Sequence, residues 1–273
     1  MIRSPAVAGS FYPAVAAQLE REVDSFTTVA EPLRKQRAIA CMVPHAGYIY
    51  SGHVAGAVFA RIDLPKRILL IGPRHYPRGA RMAILSDGSW QTPLGEAELD
   101  GEFASTLKRR FPPLKEDEVA HEREHSLEVQ LPFLQRLCDG EKAALRFTPI
   151  VLGPLPYEEL AALGGAIASA IGAVREATLI VASSDMNHYE SDEITRSKDR
   201  KAIEELLALD ARRLYDTVRR EEISMCGYGP AVVMLTAARL LGATKAELVR
   251  YATSGDINGD RSAVVGYAGM IIH

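Results

Sequence analysis

Cysteine is scarce in this sequence: there are 3 among 273 residues, Cys41, Cys138 and Cys226. The number is odd and no C-x-x-C pair occurs, which argues against a disulfide framework and a zinc ribbon and makes reduced thiols in a cytoplasm the expected state. Long apolar runs are missing as well. No stretch approaches the ~18 apolar residues a membrane span needs. Met1 to Ala14 contains Pro5, Gly9 and Pro13 where a secretion signal would be continuously apolar. Neither a membrane nor an export pathway is an expected partner. Positive charge is not in excess: 32 Lys and Arg against 35 Asp and Glu leave a net charge of −3, so a nucleic-acid partner is not expected either. Arg212, Arg213, Arg219 and Arg220 cluster, but Asp216, Glu221 and Glu222 are interleaved with them, as on a solvated helix face. No G-x-S-x-G, G-x-x-x-x-G-K or G-x-G-x-x-G is present, which removes the usual signals for serine hydrolases and nucleotide enzymes.

What the sequence does have is the make-up of a globular chain, 47% hydrophobic and 25% charged, with no linker at which to divide residues 1–273 into two domains. Short β-branched apolar runs alternate with longer stretches of helical period. That pattern predicts an α/β fold in which a largely parallel or mixed sheet is covered by helices on both faces. Strands are expected at Ala38 to Val43, Arg67 to Gly72, Met82 to Ser86, Phe147 to Leu152, Ala177 to Ser183, Glu247 to Thr253 and Ala263 to Ile272. Helices are expected at Ala14 to Thr28, at Tyr157 to Ile171 and, apolar nearly all round, at Pro230 to Leu241.

Three of the 7 histidines fall just beyond expected strands: His45, His75 and His188. Ligands of open α/β sheets bind outside the carboxyl ends of the strands, where loops distant in sequence converge, so these imidazoles can share one pocket. Asp185 precedes His188 by three residues, a spacing that lets the pair act on one centre. Cys226 stands in a Gly-rich turn before the buried helix, where the helix dipole favours a thiolate, hence a metal ligand or a reactive sulfur. Cys41 and Cys138 read as core residues. His121-Glu122-Arg123-Glu124-His125 satisfies the H-E-x-x-H pattern of zinc peptidases. That pattern needs one helix through all five residues, whereas the amphipathic stretch begins at Leu127 with Ser126 as a candidate cap, so a zincin site is not expected. Asp256-Ile257-Asn258-Gly259-Asp260 lacks the closing Glu of a calcium loop and reads as a tight turn. His53 follows Gly52 near an expected helix start and reads as structural or as support for the pocket.

The loops together resemble one family. Pro5-Ala6-Val7-Ala8-Gly9-Ser10-Phe11-Tyr12-Pro13, Pro44-His45-Ala46-Gly47-Tyr48, Gly72-Pro73-Arg74-His75, Thr92-Pro93-Leu94-Gly95, Glu124-His125-Ser126-Leu127-Glu128, Ser183-Ser184-Asp185, Cys226-Gly227 and Ser254-Gly255-Asp256 are similar, in this order, to the Memo family. The resemblance spans almost the whole chain. It implies a fold similar to the class III extradiol dioxygenases, which hold non-haem iron with two histidines and a carboxylate. On that resemblance His45 and His75 match the histidine ligands and Cys226 the third position, a departure that puts ring cleavage in doubt. Asp185, His188 and His125 match further pocket residues, and His121 lies outside the pattern. The expected cofactor is a redox or divalent metal, iron first, with copper or zinc also suited to imidazole and thiolate. His188 is the expected general base and His125 its alternate. The resemblance implies two functions, a metal-dependent oxidoreductase acting on a small molecule, or a binding, adaptor or metal-handling protein that takes a small molecule or peptide. A radical-SAM protein is an implied partner.

Overall fold

The computed structural model describes residues 1–28, 35–138, 145–174 and 176–273. Its strands are β1 (Ile2–Arg3), β2 (Ala40–Val43), β3 (Arg67–Pro73), β4 (Met82–Ile84), β5 (Ser89–Thr92), β6 (Gly95–Leu99), β7 (Lys115–Glu116), β8 (Arg146–Leu152), β9 (Thr178–Ser183), β10 (His188–Glu190), β11 (Ala246–Thr253) and β12 (Val264–Ile272). The helices are α1 (Ala16–Thr27), α2 (Tyr48–Phe59), α3 (Gly101–Arg110), α4 (Leu131–Cys138), α5 (Tyr157–Gly172), α6 (Asp192–Leu207), α7 (Ala211–Arg220), α8 (Tyr228–Leu240) and α9 (Gly255–Asn258). All seven expected strands are present, each within two residues of its expected start and end. The β5–β6 pair was not expected, and α2 was expected only as a helix start near His53.

The sheet runs β1-β5-β6-β8-β3-β9-β2-β12-β10, with β11 on β12 and β4 on β8. Its middle, β8-β3-β9-β2, is parallel, and β12 turns antiparallel against β2. Strand periodicity explains why helices cover both faces. Along β3, Leu69 and Ile71 enter one core while Ile68 and Leu70 enter the other, and β9 divides the same way at Ile180, Ala182 and Leu179, Val181. α3, α5, α6, α7 and α8 cover the first face, and α1, α2 and α4 the second. α8 is buried along most of its length, as its all-round apolar sequence predicts.

Two local expectations are corrected. Ser126 caps no helix: its hydroxyl donates to the Pro73 carbonyl at 3.2 Å, and α4 begins at Leu131 after a 3-10 turn over Glu128–Gln130. The Asp256 loop is a one-turn helix, α9, stopped by Gly259 at φ 78°.

Candidate metal centre

The adjacent strands β2, β3 and β9 end side by side, and each places a polar residue two positions beyond its last residue: His45, His75 and Asp185. His125 joins them from the irregular run before the 3-10 turn. One ligand atom from each of His45, His75 and His125 lies within 4.8 Å of the other two. The rings pack closely as well, with His75 and His125 stacked at 4.5 Å and His45 edge-on to both, at 5.2 and 5.6 Å.

Hydrogen bonds fix which nitrogens are free. Ser183 Oγ donates to the Ser126 carbonyl at 2.6 Å and accepts from Gln130 Nε2 at 3.0 Å. Its proton is committed, so toward His45 Nδ1, 2.9 Å away, it can only accept. His45 therefore carries its proton on Nδ1 and leaves Nε2 bare. His75 Nδ1 faces Glu124 Oε1 at 2.8 Å and His188 Nδ1 faces the Ser224 carbonyl at 2.9 Å, both acceptors, so these rings have the same tautomer. A carboxylate behind an imidazole that presents its other nitrogen to a pocket is the arrangement that supports metal-bound histidines.

The electrostatics suit a cation. Burial, reinforced by His75, His125 and His188, holds the pKa of His45 well below the usual histidine range. Burial brings His125 down to about 4 against the opposing pull of Glu124. Both are neutral lone-pair donors at pH 7. Burial works against an ionised Glu124, but hydrogen bonds from the His75 side chain and from the backbone of His75 and Ser126 outweigh it and set its pKa at about 2. Asp185 accepts the His45 backbone N–H at 2.7 Å, while burial raises its carboxyl above the normal range.

Cys226 Sγ is 3.2 Å from His45 Nε2, so the thiol donates to the nitrogen that a metal would use. The dipole of α8 does not prevail over its surroundings, because burial and the Asp185 carboxylate push the thiol well up. The turn is held by close approach: Gly227 N–H donates to Ser184 Oγ at 3.1 Å, and a Cβ on Gly227 would lie 2.5 Å from the Ser183 carbonyl oxygen.

His45, His75, His125, Asp185 and Cys226 line a cavity of about 630 Å³ that also receives Phe11, His188, Tyr189, Ser224 and Tyr267. Tyr189 holds φ at 61°. That conformation costs a non-glycine residue ~1–3 kcal/mol and persists only where neighbours over-determine it. On its N-terminal side Asn187 is held by its N–H bonded to Asp199 and its amide bonded to Glu190.

The family model described as Memo-like protein matches residues 3–271. The chain belongs to the Memo family. Memo relatives match along the whole length: the MEMO1 family protein of Aquifex aeolicus is 43% identical over 270 residues, covering 99% of this chain and 98% of its own. Those of Methanosarcina barkeri and Methanopyrus kandleri are 41% and 40% identical, over 99% of this chain and 100% and 99% of theirs. The crystal structure of an uncharacterized protein of Escherichia coli K12 matches with a TM-score of 0.53 at 11% identity, covering 86% of this chain and 100% of that one. That likeness shows the fold alone.

Within this Memo chain the H-E-x-x-H motif divides. Residues 121–125 are not helical, His125 joins the cluster, and His121 is buried elsewhere, its Nδ1 donating to the Asp117 carbonyl and its ring 6.0 Å from Trp90. Of the tyrosines near the motif loops, Tyr189 lines the pocket, Tyr76 lines a separate cavity, and Tyr48 is buried with its hydroxyl donating to Val129 O. Sequence reasoning missed Glu124 as a partner of His75, and Ser183, Gln130 and Ser224 as the groups that set tautomers. Glu124 had one legible signal, a carboxylate adjacent to a histidine in a family motif. Ser183 had one as well, its place in the Ser183-Ser184-Asp185 motif, while Gln130 and Ser224 had none.

The buried histidines also set an acid limit. His45, His121 and His125 remain unprotonated in the folded chain well below the 6.5 of a free imidazole, with His121 and His125 at about 4. Their contribution is complete above pH 6.5 and is lost as pH falls toward 4, by ~3 kcal/mol for each 4-valued histidine. Asp199, raised to about 7 by burial, acts in the opposite sense: its contribution is complete below its unfolded value of 3.8 and lost as pH rises toward 7. Asp199→Asn removes that compensating gain, so urea midpoints of the ion-free variant should fall more steeply from pH 7 to 4 than those of wild type. Parallel curves would refute the assignment.

Among the described residues, no helix is long and apolar enough to cross a membrane.

Proposed function

We propose that this chain binds one transition-metal ion through His45, His75 and His125, with Cys226 as a further donor, and uses it in the oxidation or reduction of a small molecule. The observation that carries the reading is the convergence of three imidazoles, two of them with Nδ1–H tied to Ser183 and Glu124 so that Nε2 stays bare. Neutral imidazoles with a sulfur donor suit iron(II), copper or zinc, and the dioxygenase-like resemblance favours iron. When bound, iron or copper would supply one-electron chemistry and a Lewis-acid position for a substrate oxygen. The chain's own groups do the rest. His188, with a bare Nε2 at the cavity wall, accepts a proton from the substrate, and Asp185 holds the His45 loop in register. With an ion bound at the histidines, Cys226 would release its thiol proton to solvent and stand as a thiolate donor beside His45.

Elemental analysis of protein purified without affinity metals tests the centre. About one ion per chain is expected in wild type, with at least a tenfold loss in His45→Ala and His75→Ala and a smaller loss in Cys226→Ser. Full stoichiometry in the histidine variants would overturn it. For the redox step, iron(II)-loaded protein given an oxidisable small molecule should consume oxygen, as the electron acceptor, over several turnovers, and zinc-loaded protein should not. Tight binding without turnover would favour a second reading, a metal-handling or adaptor protein, which draws support from the Cys226 thiol resting on His45. A radical-SAM protein is the proposed partner on the family resemblance alone.

A further inference from the structure

His188 stands half-buried at the cavity wall on β10, a strand of 3 residues, which fixes its backbone but not its ring. The ring is held from the irregular run between α7 and α8. Ser224 Oγ accepts the His188 backbone N–H at 2.7 Å, and the Ser224 carbonyl faces His188 Nδ1 at 2.9 Å. Two contacts from one residue set both the position of His188 and the nitrogen that carries its proton. That grip is only as fixed as Ser224 itself.

Ser224 is fixed by Asn187, the residue before His188. Its N–H donates to Asn187 Oδ1 at 3.0 Å, and its hydroxyl has the same oxygen at 3.0 Å as a nearer acceptor than the His188 carbonyl at 3.3 Å. The other end of the carboxamide is engaged too: Nδ2 donates to Glu190 Oε2 at 2.7 Å and to Thr195 Oγ1 at 3.3 Å. Donors on one side and a carboxylate on the other allow a single orientation of this amide. The main chain is anchored as well, the N–H to Asp199 Oδ1 at 2.8 Å and the carbonyl accepting from Gly266 N–H at 2.9 Å. Asn187 is 0% exposed with its polar groups occupied, and a satisfied buried network of this kind makes a stiff frame.

We propose that Asn187 is a positioning residue for His188: through Ser224 it holds the imidazole with its proton on Nδ1 and its bare Nε2 at the cavity. Asn187 is not among the residues lining that cavity, so it acts without touching a ligand. The inference rests on the reading of His188 as the proton acceptor, because an imidazole with its proton on Nε2 cannot take another there.

The tautomer is read from the 15N shifts of the imidazole nitrogens in the full zinc-loaded chain at alkaline pH, and no substrate is needed. Wild-type His188 should show the Nδ1–H form. Asn187→Leu keeps the size of the side chain and removes both polar ends. It should lower the ratio of Nδ1–H to Nε2–H at His188 by about fivefold, the effect of losing one ordinary hydrogen bond, with ion content and the His45 and His75 tautomers unchanged. Asn187→Ala, which adds no bulk, carries the same expectation if the leucine variant does not fold. Asn187→Asp/Glu190→Gln keeps an oxygen toward Ser224 and exchanges donor and acceptor on the other side, so it should restore the wild-type ratio. A role confined to stability would lower the melting temperature of Asn187→Leu and leave the ratio alone. That result, a wild-type His188 protonated on Nε2, or a double variant with the ratio of Asn187→Leu would each overturn the proposal. Ion content is measured on every sample. A wild type that binds no ion defeats the metal reading instead, since Asn187 and Ser224 set this tautomer with or without an ion.

Discussion

Glu128→Ala should destabilise the protein by about 3–5 kcal/mol, the usual cost of leaving one member of a buried ion pair without its partner. Arg3 and Glu128 meet at 2.7 Å with side-chain exposures of 4% and 0%. Glu128 also accepts the N–H groups of Ala6 and Val7 and the Tyr12 hydroxyl, so one substitution orphans several donors together. The consequence reaches the site. Arg3 donates Nε to the His121 carbonyl and Nη2 to the Glu124 carbonyl, and Phe11 of the same N-terminal segment packs on His125. Thermal melting should show a fall of roughly 5–10 °C. The double variant Arg3→Met/Glu128→Leu should lose less than the two single losses added together, because no charge is left buried. A Glu128→Ala loss under about 1 kcal/mol would show that the N-terminal segment is held by its apolar contacts instead.

Glu124→Gln should weaken metal binding by about 10- to 100-fold while leaving all three imidazoles in place. The glutamine amide cannot supply the charge that Glu124 presents to His75 Nδ1, and one of its two terminal atoms becomes a donor where His75 N–H, His75 Nδ1–H and Ser126 N–H all need acceptors. Competition with a chromophoric chelator would measure the loss. Thermal melting of the ion-free variant separates it from unfolding. Affinity equal to wild type would mean that His75 needs no carboxylate behind it.

Much of the fold was legible because buried parallel strands leave a plain signal. Ile68 to Ile71 and Leu179 to Ala182 are continuous apolar runs, since alternate residues enter two different cores. The β5–β6 pair gave no such signal. Trp90 and Ala97 are its fully buried centre, and Gly95, Glu96 and Glu98 are exposed, a pattern too short and too polar to read as strands. The extent of α2 was obscured, beyond a helix start near His53, because Tyr48 to Phe59 contains two glycines, Gly52 and Gly56, poor helix formers that here allow close packing on Phe26.

The sequence by itself determined the alternation of strand and helix, the family, and the loops on which His45, His75, Asp185 and Cys226 stand, because each of these is written in contiguous residues. Only the tertiary structure decided which side chains face one another. His121 and His125 share a motif, yet one is enclosed beside Trp90 and the other completes the cluster, a separation imposed by Arg3 and Pro73 from remote parts of the chain. The bare nitrogens were settled in the same way, by a serine and a glutamate whose partnership with the imidazoles exists only once the strands are side by side.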